Sequence, residues 1–440
     1  LQSFTTLLMN TRELLLDSFR AALTAADPLL IVPKRLPALP KGRTIVLGAG
    51  KAAAAMAKAV EENWPQDAAL EGVVITRYAH GYTGEDALKR IRVVEAGHPV
   101  PDASGETAAK EILALAGTAG PDDLVLALIS GGGSSLLSLP VAAVSMGDLK
   151  AVTRDLLASG APIQEMNVVR KHLSAIQGGR LAAAAGARGA KVVALIVSDV
   201  TGDLAGDIAS GPTAPDPSTY DEALEILNRY RITPPISIAR HLSKGARGEV
   251  GETYKFADRI FLNVENHVIA SGQASLAMAG AFFQQRGITP MILGDSVTGE
   301  AREVAKVYAA LVKQIRAHNH PLKPPVALIS GGECTVTLRN NNKGRGGRCS
   351  EFLLSLAIEL KGVEGVSAMA CDTDGIDGSE ENAGAYFNSE SLDRAAALQL
   401  NANDQLEMND AYGFFAPLQD LVTTGPTRTN VNDYRVILVS

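Results

Sequence analysis

Cysteine is scarce in this chain of 440 residues, which contains only Cys334, Cys349 and Cys371. An odd count without a Cys-x-x-Cys spacing argues against a disulfide scaffold and favours a reducing compartment. No apolar run reaches the length of a transmembrane helix, and residues 1–30 resemble an amphipathic helix more than a signal peptide. We therefore expect a soluble, cytoplasmic protein with no membrane partner.

Aromatic residues and net positive charge are also in short supply. Phe, Trp and Tyr make up 5% of the chain, and 41 Lys and Arg residues against 48 Asp and Glu residues give a net charge of −7. This balance argues against a general nucleic-acid-binding function. The length suits two domains, and a composition rich in Ala, Val, Leu and Gly fits helices packed on parallel sheets.

Four runs of β-forming apolar residues each end at a loop of small residues, after which we expect a helix. A continuous apolar run bounded by turn residues predicts a strand that is buried on both faces. A glycine loop at the carboxyl end of such a strand presents backbone N–H groups to anions. Four such loops make a phosphorylated ligand the leading hypothesis. The runs and their loops are Thr44–Leu47 with Gly48–Lys51, Leu124–Ile129 with Ser130–Ser135, Val192–Val197 with Ser198–Asp199, and Val326–Ile329 with Ser330–Glu333.

Alternating strands and helices predict two α/β blocks with parallel or mixed sheets. The clearest break in the chain is the proline-rich segment 210–217, and a second block begins near residue 259 with a predicted strand at 260–263. Residues 93–102, which contain two prolines, are predicted to form a loop. We place the domains at 1–255 and 256–440. For the helix within residues 1–40, packing on the second domain is an open alternative.

The first glycine loop, Gly48–Ala53, matches the GxGxxG/A dinucleotide fingerprint and makes a dehydrogenase an alternative. The acidic residue expected at the end of the next strand is absent, because Thr76–Arg77 stands there. Lys51 follows Gly50 at the helix start, where a cation opposes the helix dipole unless an anion compensates it. A phosphate-binding lysine is favoured over a structural turn with a solvated lysine.

The second loop contains Gly131, Gly132, Gly133, Ser134 and Ser135. It is not a nucleophile elbow, because Leu136 stands where the last glycine of GxSxG belongs. Backbone N–H groups and two hydroxyls suit an anion nest, and a plain tight turn is the alternative.

A predicted helix carries Asn167, Arg170 and Lys171 on one face, since they lie three or four residues apart. This face is either a solvated surface or a site for a substrate carboxylate. The next turn ends in Gly-Gly-Arg, which keeps the substrate role open. His172 is as compatible with a structural role as with a functional one.

Carboxylates follow two of the predicted strands, namely Asp199 and Asp203 in the first block and Asp374 and Asp377 in the second. Mg²⁺ needs few carboxylates when phosphate oxygens complete its shell, so either loop is a candidate site. Calcium is not expected, because Ala383 stands where an EF-hand loop has its bidentate acid. Capping of Asx turns is the structural alternative.

Basic residues Lys343, Arg345 and Arg348 stand among glycines, including Gly347, before a helix predicted at 352–360. Such a cluster at a helix N-terminus repels itself without an anion. In an acidic protein it indicates a phosphate clamp rather than an RGG-like segment.

Together these strings resemble the class II glycerate kinase family, the glycerate 2-kinases with a MOFRL C-terminal domain. The matches follow the family order over nearly the whole chain, and the departure is Cys349–Glu351, where the family usually has Asn-Gln-Glu. The matching pieces are Gly48–Ala52, Gly97–Pro99, Ser130–Ser135, Asn167 with Arg170–His172, Gly178–Gly179, Ser198–Val200 with Gly202–Asp203, Ser210–Pro212, Ser330–Glu333, Gly346–Arg348, Thr373–Gly375 with Asp377–Gly378, and Thr424–Thr427 with Thr429–Asp433.

The resemblance implies ATP-dependent phosphorylation of D-glycerate at its 2-hydroxyl, with Mg²⁺, by a monomer or homodimer. It implies a Rossmann-like N-terminal domain, a smaller mixed-sheet C-terminal domain and an active site in the cleft between them. It also implies that Lys51 and Arg348 are the principal phosphate-stabilising cations. We expect Asp199 and Asp374 to take part in catalysis, without choosing the general base, and Gly332, Glu333 and Gly347 to join the phosphate site.

Two alternatives stay open. Relatives of this family have carried the label hydroxypyruvate reductase, so an NAD(P)H-dependent reductase with its dinucleotide at Gly48–Ala53 is the first. A non-catalytic protein that senses a phosphorylated metabolite is the second, although such a protein needs no carboxylate cluster.

Overall fold

The computed structural model describes residues 10–338 and 344–440. These residues form two compact units, one of residues 28–269 and one of residues 10–27 with 270–440. The domain boundary placed at 255/256 from the sequence stays a prediction. Lys343 and the first nine residues of the predicted N-terminal helix lie outside the described residues, and the helix that follows them is α1 (Thr11–Thr24). No helix in the described parts of the chain is both long and apolar enough to cross a membrane.

A six-stranded sheet forms the centre of the unit 28–269. The strands lie in the order β3-β2-β1-β4-β5-β6, and the pairs from β3 to β5 are parallel. This is the strand order of the doubly wound Rossmann-like sheet, so the predicted fold class is confirmed here. The strands are β1 (Thr44–Ala49), β2 (Leu70–Arg77), β3 (Ile91–Ala96), β4 (Leu124–Ser130), β5 (Lys191–Val197) and β6 (Val264–Ala270).

Helices cover this sheet and connect its strands. Side-chain caps start several of them: Asp102 accepts a hydrogen bond from the N–H of Gly105, and Ser145 accepts one from Asp148. The helices are α2 (Pro28–Ile31), α3 (Ala53–Asn63), α4 (Ala103–Ala116), α5 (Gly133–Leu136), α6 (Met146–Ala158), α7 (Ile163–Leu173), α8 (Arg180–Gly186), α9 (Tyr220–Arg229) and α10 (Ile236–Ala246).

The two central strands β1 and β4 are buried at every residue, as the apolar runs predicted. Gly48 lets them come together, because a Cβ at this position would lie 2.0 Å from the carbonyl oxygen of Leu128. From this pair the chain adds β2 and β3 on one side and β5 and β6 on the other. The topological switch point of the sheet therefore lies between the carboxyl ends of β1 and β4, where open α/β sheets bind their ligands.

The second unit is built on a mixed six-stranded sheet, which confirms the other half of the predicted fold class. The strand order is β11-β10-β9-β12-β8-β7; β7 and β8 are parallel, and the other neighbours are antiparallel. The strands are β7 (Thr289–Gly294), β8 (Val326–Ser330), β9 (Val366–Asp372), β10 (Gly384–Asn388), β11 (Leu421–Val422) and β12 (Asp433–Val439).

Each face of this mixed sheet has its own helical layer. Leu328 and Ile437 belong to one apolar core with α12 and α13, whereas the adjacent Ile329 and Val436 pack with α1 and α11. Neighbouring residues in a strand point to opposite faces, so the two cores lie on opposite sides of the sheet. The helices are α11 (Gly272–Gln284), α12 (Ala301–His318), α13 (Arg348–Leu360), α14 (Ser391–Ala397), α15 (Ala402–Glu407) and α16 (Ala411–Phe415).

Four local predictions were wrong. The loop predicted at 93–102 contains the end of β3, which sequence reasoning missed because this edge strand carries the polar residues Arg92 and Glu95. The strand predicted at 260–263 is a 3₁₀ turn, and β6 begins after it. Of the four apolar runs that were each expected to lead into a helix, β1 and β4 do so directly, whereas after β5 and β8 the chain first runs through irregular segments. Helix α13 begins one turn earlier than predicted.

Candidate active site

The loops after β1 and β4 lie side by side at the switch point. The N–H of Lys51 donates a hydrogen bond of 2.8 Å to the carbonyl of Gly131, and the N–H of Ala52 donates one of 3.0 Å to Oγ of Ser130. We call Gly48–Lys51 the β1 loop and Gly131–Ser135 the β4 loop. The structure therefore brings together two of the predicted anion loops.

The β1 loop uses its backbone amides internally. The N–H of Gly50 donates to the carbonyl of Ile75 at 3.1 Å and that of Ala53 to the carbonyl of Gly50 at 3.1 Å, while Lys51 and Ala52 are bonded as described above. A dinucleotide fingerprint needs such amides to face a pyrophosphate. What this loop offers a ligand is the half-buried side chain of Lys51, and the predicted phosphate contact of Gly50 is not available through its N–H.

The β4 loop has the opposite arrangement. Within residues 10–338 and 344–440, no acceptor receives a hydrogen bond from the N–H groups of Gly132, Gly133 or Ser134. Gly132 has a positive φ of 79°, and a Cβ at this position would lie 3.0 Å from Nε2 of His98 and 3.4 Å from Cγ of Lys51. Successive backbone N–H groups in such a turn form an anion nest. Lys51 and His98 stand beside it.

His98 is a site residue to which sequence reasoning gave no role. The signal was present, because His98 belongs to the Gly97–Pro99 string that matches the glycerate kinase family. The string identifies the residue but not its neighbours, and only the fold places its ring against Gly132.

A chain of side-chain hydrogen bonds joins the β4 loop to α7. The hydroxyls of Ser134 and Ser210 lie 2.9 Å apart, and Oγ of Ser210 donates to Oδ1 of Asn167 at 3.1 Å. The amide of Asn167 also donates to the carbonyl of Asp207 at 3.4 Å. Asn167 therefore lies at the predicted site, but its polar atoms are already engaged with protein groups.

Arg170 and Lys171 are neighbours on α7 with different surroundings. Nζ of Lys171 lies 3.5 Å from Oδ1 of Asp216 and 3.8 Å from Oδ1 of Asp207, and its side chain is almost fully buried. Arg170 is half-buried and has no acidic partner among the described residues, and burial lowers the pKa of its guanidinium. A carboxylate ligand would supply the missing counter-charge to Arg170, whereas the charge of Lys171 is already compensated.

His172 has a structural environment. Its Nδ1 lies 2.8 Å from the carbonyl oxygen of Val168, its Nε2 lies 2.8 Å from Oε1 of Glu252, and the ring is fully buried. Both ring nitrogens are therefore satisfied by the packing of α7 against the segment that contains Glu252.

The carboxylates predicted as metal ligands in this unit follow β5. Asp199 is half-buried directly after the buried Ser198, and Asp203 lies in a turn with a positive φ of 53°. In the part of the chain that the structure describes, no group of three or more His, Cys, Asp or Glu residues is arranged to hold a metal ion. A magnesium ion that takes most of its ligands from phosphates and water does not require such a group.

In the second unit, Arg348 at the start of α13 is surrounded by carboxylates. Its Nε donates to Oδ1 of Asp433 at 2.8 Å, its Nη2 to Oδ2 of Asp372 at 2.7 Å, and Nη1 lies 3.2 Å from Oε1 of Glu333. Burial alone would lower the pKa of this guanidinium, but Asp433, Asp372 and Glu333 outweigh burial and raise it. Asp372, which belongs to the carboxylate-rich segment 372–378 that the sequence singles out, and Asp433, to which sequence reasoning gave no role, therefore fix the direction of Arg348.

A second arginine supports this arrangement from the core. Arg435 is 1% exposed, donates through Nη2 to Oδ2 of Asp433 and through Nη1 to the carbonyl of Gly331 at 2.7 Å. The carbonyl of Gly332 in turn accepts a hydrogen bond of 3.2 Å from the N–H of Asp433. The Ser330–Glu333 loop, with Gly332 and Glu333, is thereby joined to Asp433.

Asp377 holds the N-terminus of α13. Its Oδ1 accepts from the N–H of Cys349 at 3.0 Å, and its Oδ2 accepts from the N–H of Ser350 at 2.8 Å and from the Ser350 hydroxyl at 2.6 Å. Burial raises the pKa of Asp377, and the hydrogen bonds from Ser350 oppose that shift. The N–H of Gly347 donates to Oγ of Ser350 at 3.2 Å. The N-terminus of α13 is thus compensated by the chain's own carboxylate, and both oxygens of Asp377 are committed to it.

Asp374 and Arg345 occupy different settings. Asp374 is 2% exposed, and its Oδ1 accepts from the N–H of Ile376 at 2.9 Å in an Asx turn. Arg345 is exposed, packs over the ring of Tyr412 at 4.7 Å, and donates its N–H to Asp410 at 3.0 Å. The contacts of Arg345 are therefore separate from the carboxylates that hold Arg348.

Comparisons with known proteins identify the family of this chain. A family model described as a domain of unknown function (DUF4147) matches residues 14–243, and the MOFRL family model matches residues 326–433. A protein of Agrobacterium vitis, provisionally named a hydroxypyruvate reductase, is 47% identical over 98% of this chain and 95% of its own length. A protein of Thermotoga maritima named D-glycerate 2-kinase is 38% identical over 97% of this chain and 98% of its own.

The fold has a solved counterpart. A crystal structure of a glycerate kinase from Thermotoga maritima matches with a TM-score of 0.85 and 37% identity, and covers 98% of this chain and 99% of that one. Both family models, the full-length relatives and this structure agree with the motifs described above. The chain therefore belongs to the glycerate kinase family.

Proposed function

We propose that this protein transfers a phosphoryl group from ATP to the 2-hydroxyl of D-glycerate, giving ADP and 2-phosphoglycerate. The observation that carries the proposal is the β4 loop at the switch point, which has three backbone N–H groups without an acceptor in the described chain and in which Gly132 lies against the side chain of Lys51. Such a group of donors suits phosphate oxygens. The name of the Thermotoga maritima relative, D-glycerate 2-kinase, supports the same reaction.

Phosphoryl transfer needs positive charge more than covalent chemistry from the protein. Negative charge spreads over the three equatorial oxygens of the transferred group, and fixed donors stabilise it. In our proposal, Lys51 and the N–H groups of Gly132, Gly133 and Ser134 supply these donors. The short bond between the Lys51 N–H and the Gly131 carbonyl holds the two loops in register.

Arg170 is the group that we assign to the carboxylate of D-glycerate. Its guanidinium is half-buried without an acidic partner in the described chain, and a guanidinium binds a carboxylate through two parallel hydrogen bonds. Asn167 lies one turn away on the same face of α7, and its polar atoms are bonded to Ser210 and Asp207. Lys171, which sequence reasoning placed with them, is assigned to the packing of α7 against Asp207 and Asp216.

A bound Mg²⁺ ion would neutralise part of the negative charge on the phosphates of ATP. Asp199 and Asp374 suit its binding, because each follows a strand and Mg²⁺ needs only one or two protein carboxylates when phosphates and water supply the rest. Asp377 does not suit it, since both of its oxygens accept hydrogen bonds from α13. Asp203 stays a weaker candidate on an exposed turn, and the general base stays open between Asp199 and Asp374.

Arg348 is proposed as the second phosphate-stabilising cation. Asp433 and Asp372 hold two of its nitrogens, and the third faces Glu333, whose side chain is 56% exposed. An exposed carboxylate is the easiest of the three to displace, so a phosphate oxygen can replace Glu333 at Nη1. The orientation of the guanidinium is then set before the phosphate arrives.

An NADP(H)-dependent hydroxypyruvate reductase is the second candidate. The name of the Agrobacterium vitis relative favours it, and so does Arg77 at the end of β2, where an arginine accommodates the 2′-phosphate of NADP. Against it stand the amides of the β1 loop, which are bonded within the protein. A sensor of phosphorylated metabolites has no specific observation in its favour. A cytoplasmic location and a monomeric or homodimeric state belong to the proposal as well.

The function is tested by omitting one reactant at a time. Purified protein is incubated with ATP, Mg²⁺ and D-glycerate, and ADP is followed alongside the phosphorylated product. We expect ADP only when all three are present, in equal amounts with 2-phosphoglycerate. ADP formation that does not depend on D-glycerate, or 3-phosphoglycerate as the product, would contradict the proposal.

A further inference from the structure

Residues 209–211, which follow β5 and contact both the β4 loop and α7, have an unusual backbone conformation. Ala209, Ser210 and Gly211 all have left-handed φ values, of 53°, 58° and 59°. Only glycine adopts this region without strain, and two consecutive non-glycine residues there persist only when their surroundings enforce it. Strain of this kind concentrates at functional sites, so we asked which contacts hold the segment.

Ser210 makes contacts with three separate segments. Its hydroxyl bonds to Ser134 of the β4 loop and to Asn167 of α7, and its carbonyl accepts a hydrogen bond of 3.0 Å from the N–H of Gly178. The residue is fully buried. Since the Ser210 proton is donated to Asn167, the Ser134 hydroxyl must donate to Ser210. One buried hydroxyl thus links the two elements in a directed chain.

We propose that Ser210 is a positioning residue that fixes the distance between the phosphate-binding β4 loop and the substrate-binding face of α7. Asn167 and Arg170 are three residues apart on one helix face, so the bond that anchors Asn167 also sets where the guanidinium of Arg170 stands. The left-handed backbone is what directs the Ser210 side chain between the two elements. The inference rests on the proposed function, because it assigns phosphate and carboxylate to the two elements.

Two substitutions at Ser210 distinguish the effect of its hydroxyl from the effect of its strained backbone. Ser210→Ala removes the hydroxyl and keeps the strain of a side chain at positive φ, whereas Ser210→Gly removes the hydroxyl and relieves the strain. If the hydroxyl positions the substrate, both variants have a KM for D-glycerate that is raised by roughly 10-fold, the loss expected for one or two hydrogen bonds. The KM for ATP changes less than twofold, because the β4 loop amides stay in place.

A matched control removes a buried hydroxyl elsewhere in the same unit. Thr44 is fully buried at the amino end of β1, and its hydroxyl has no hydrogen-bond partner among the described residues. Thr44→Val is expected to leave both KM values unchanged. A Ser210→Gly variant with the wild-type KM for D-glycerate, or a Thr44→Val variant with the same KM rise, would overturn the positioning role.

The bond itself is tested without substrate. The unfolding equilibrium constants of the wild type, Ser134→Ala, Ser210→Ala and the double variant form a double-mutant cycle. Each substitution should raise this constant at least fivefold less in the background of the other substitution than in the wild type. Additive effects would overturn the link between Ser134 and Ser210. If the wild-type protein makes no ADP with D-glycerate, the proposed function is wrong, and so is the positioning role in catalysis. Coupling in the cycle would then still show that Ser134 and Ser210 are linked in the structure.

Discussion

Arg348 and Arg435 bind opposite oxygens of one carboxylate: Nε of Arg348 donates to Oδ1 of Asp433 at 2.8 Å, and Nη2 of Arg435 donates to Oδ2. Asp433 is 2% exposed, so the pair of arginines compensates a buried charge as well as orienting Arg348. Arg348 consequently has two tasks, one in stability and one in the proposed catalysis. They are separable by experiment.

Removing the Arg348 guanidinium is expected to affect both tasks. Arg348→Ala should lower kcat by roughly 10²-fold, about 2.7 kcal/mol of transition-state stabilisation. It should also lower the free energy of unfolding by roughly 3 kcal/mol, because buried Asp372 and Asp433 lose a partner. Arg348→Lys should recover part of the stability and little of kcat, since an ammonium does not reproduce the guanidinium fork. Steady-state kinetics and urea unfolding measure the two effects.

Arg345→Ala is the control for that variant. Arg345 is exposed and contacts Tyr412 and Asp410 rather than the carboxylates around Arg348, so kcat should change less than about twofold, in line with a surface substitution. If Arg345→Ala proved as damaging as Arg348→Ala, the assignment of Arg348 as a specific clamp would be wrong.

Adjacent cations on α7 should respond differently to substitution. Arg170→Gln should raise the KM for D-glycerate by roughly 10-fold or more, the worth of a charge-assisted pair, with stability near that of the wild type. Lys171→Met should instead lower the free energy of unfolding by roughly 3 kcal/mol, because it leaves buried Asp216 without its cation. A KM effect confined to Lys171→Met would reverse our assignment of the two residues.

The N-cap of α4 predicts a pH dependence of stability. Burial favours the neutral form of Asp102, but hydrogen bonds from Gly105, Tyr78 and Gly97 outweigh it and lower the pKa of this carboxyl below its ordinary 3.8. A lowered pKa in the folded state means that its stabilisation is present above pH 3.8 and is lost as the pH falls through the folded value.

Asp102→Ala should therefore destabilise the protein by about 1 kcal/mol at neutral pH, and the difference from wild type should shrink below pH 3.8. Ser145→Ala, which removes the neutral N-cap of α6, is the matched control, and its cost should not fade in the same range. Urea unfolding between pH 3 and 7 measures both. A pH-independent cost for Asp102→Ala would show that its charge is not what stabilises α4.

The centre of the first sheet was predictable, and its edges were not. Long apolar runs identified β1 and β4 because strands buried on both faces have no polar alternation to obscure them. Edge strands β3 and β6 are half-exposed, and their mixed polarity resembles that of a loop. The same reasoning explains why α13 was predicted to begin at Phe352: its first turn is polar, and it is stabilised by Asp377 from far along the chain.

Site residues were predictable by type but not by partner. The sequence identified Lys51, Arg170, Lys171 and Arg348 as cations near loops that suit anions. It could not show that Lys171 is compensated by Asp207 and Asp216, since those contacts depend on tertiary structure. Nor could it show that the backbone N–H groups of the β1 loop donate hydrogen bonds within the protein, whereas those of Gly132, Gly133 and Ser134 in the β4 loop have no acceptor in the described chain.

The account depends most on Lys51, because the β1 loop contributes a side chain and not a nest of amides. Lys51→Met retains the length and apolar stem of the side chain and removes its charge. The N–H bond to Gly131 is a backbone bond and should be unaffected, so the β1 and β4 loops should stay in register.

One measurement decides the central claim: ADP release and NADPH oxidation, followed in parallel for wild type and Lys51→Met, with D-glycerate plus Mg-ATP in one assay and hydroxypyruvate plus NADPH in the other. We expect ADP release by the wild type, a kcat lowered by roughly 10²-fold or more in Lys51→Met, and no NADPH oxidation by either. Hydroxypyruvate-dependent NADPH oxidation by the wild type, without release of ADP in the kinase assay, would contradict phosphoryl transfer and identify the protein as a reductase.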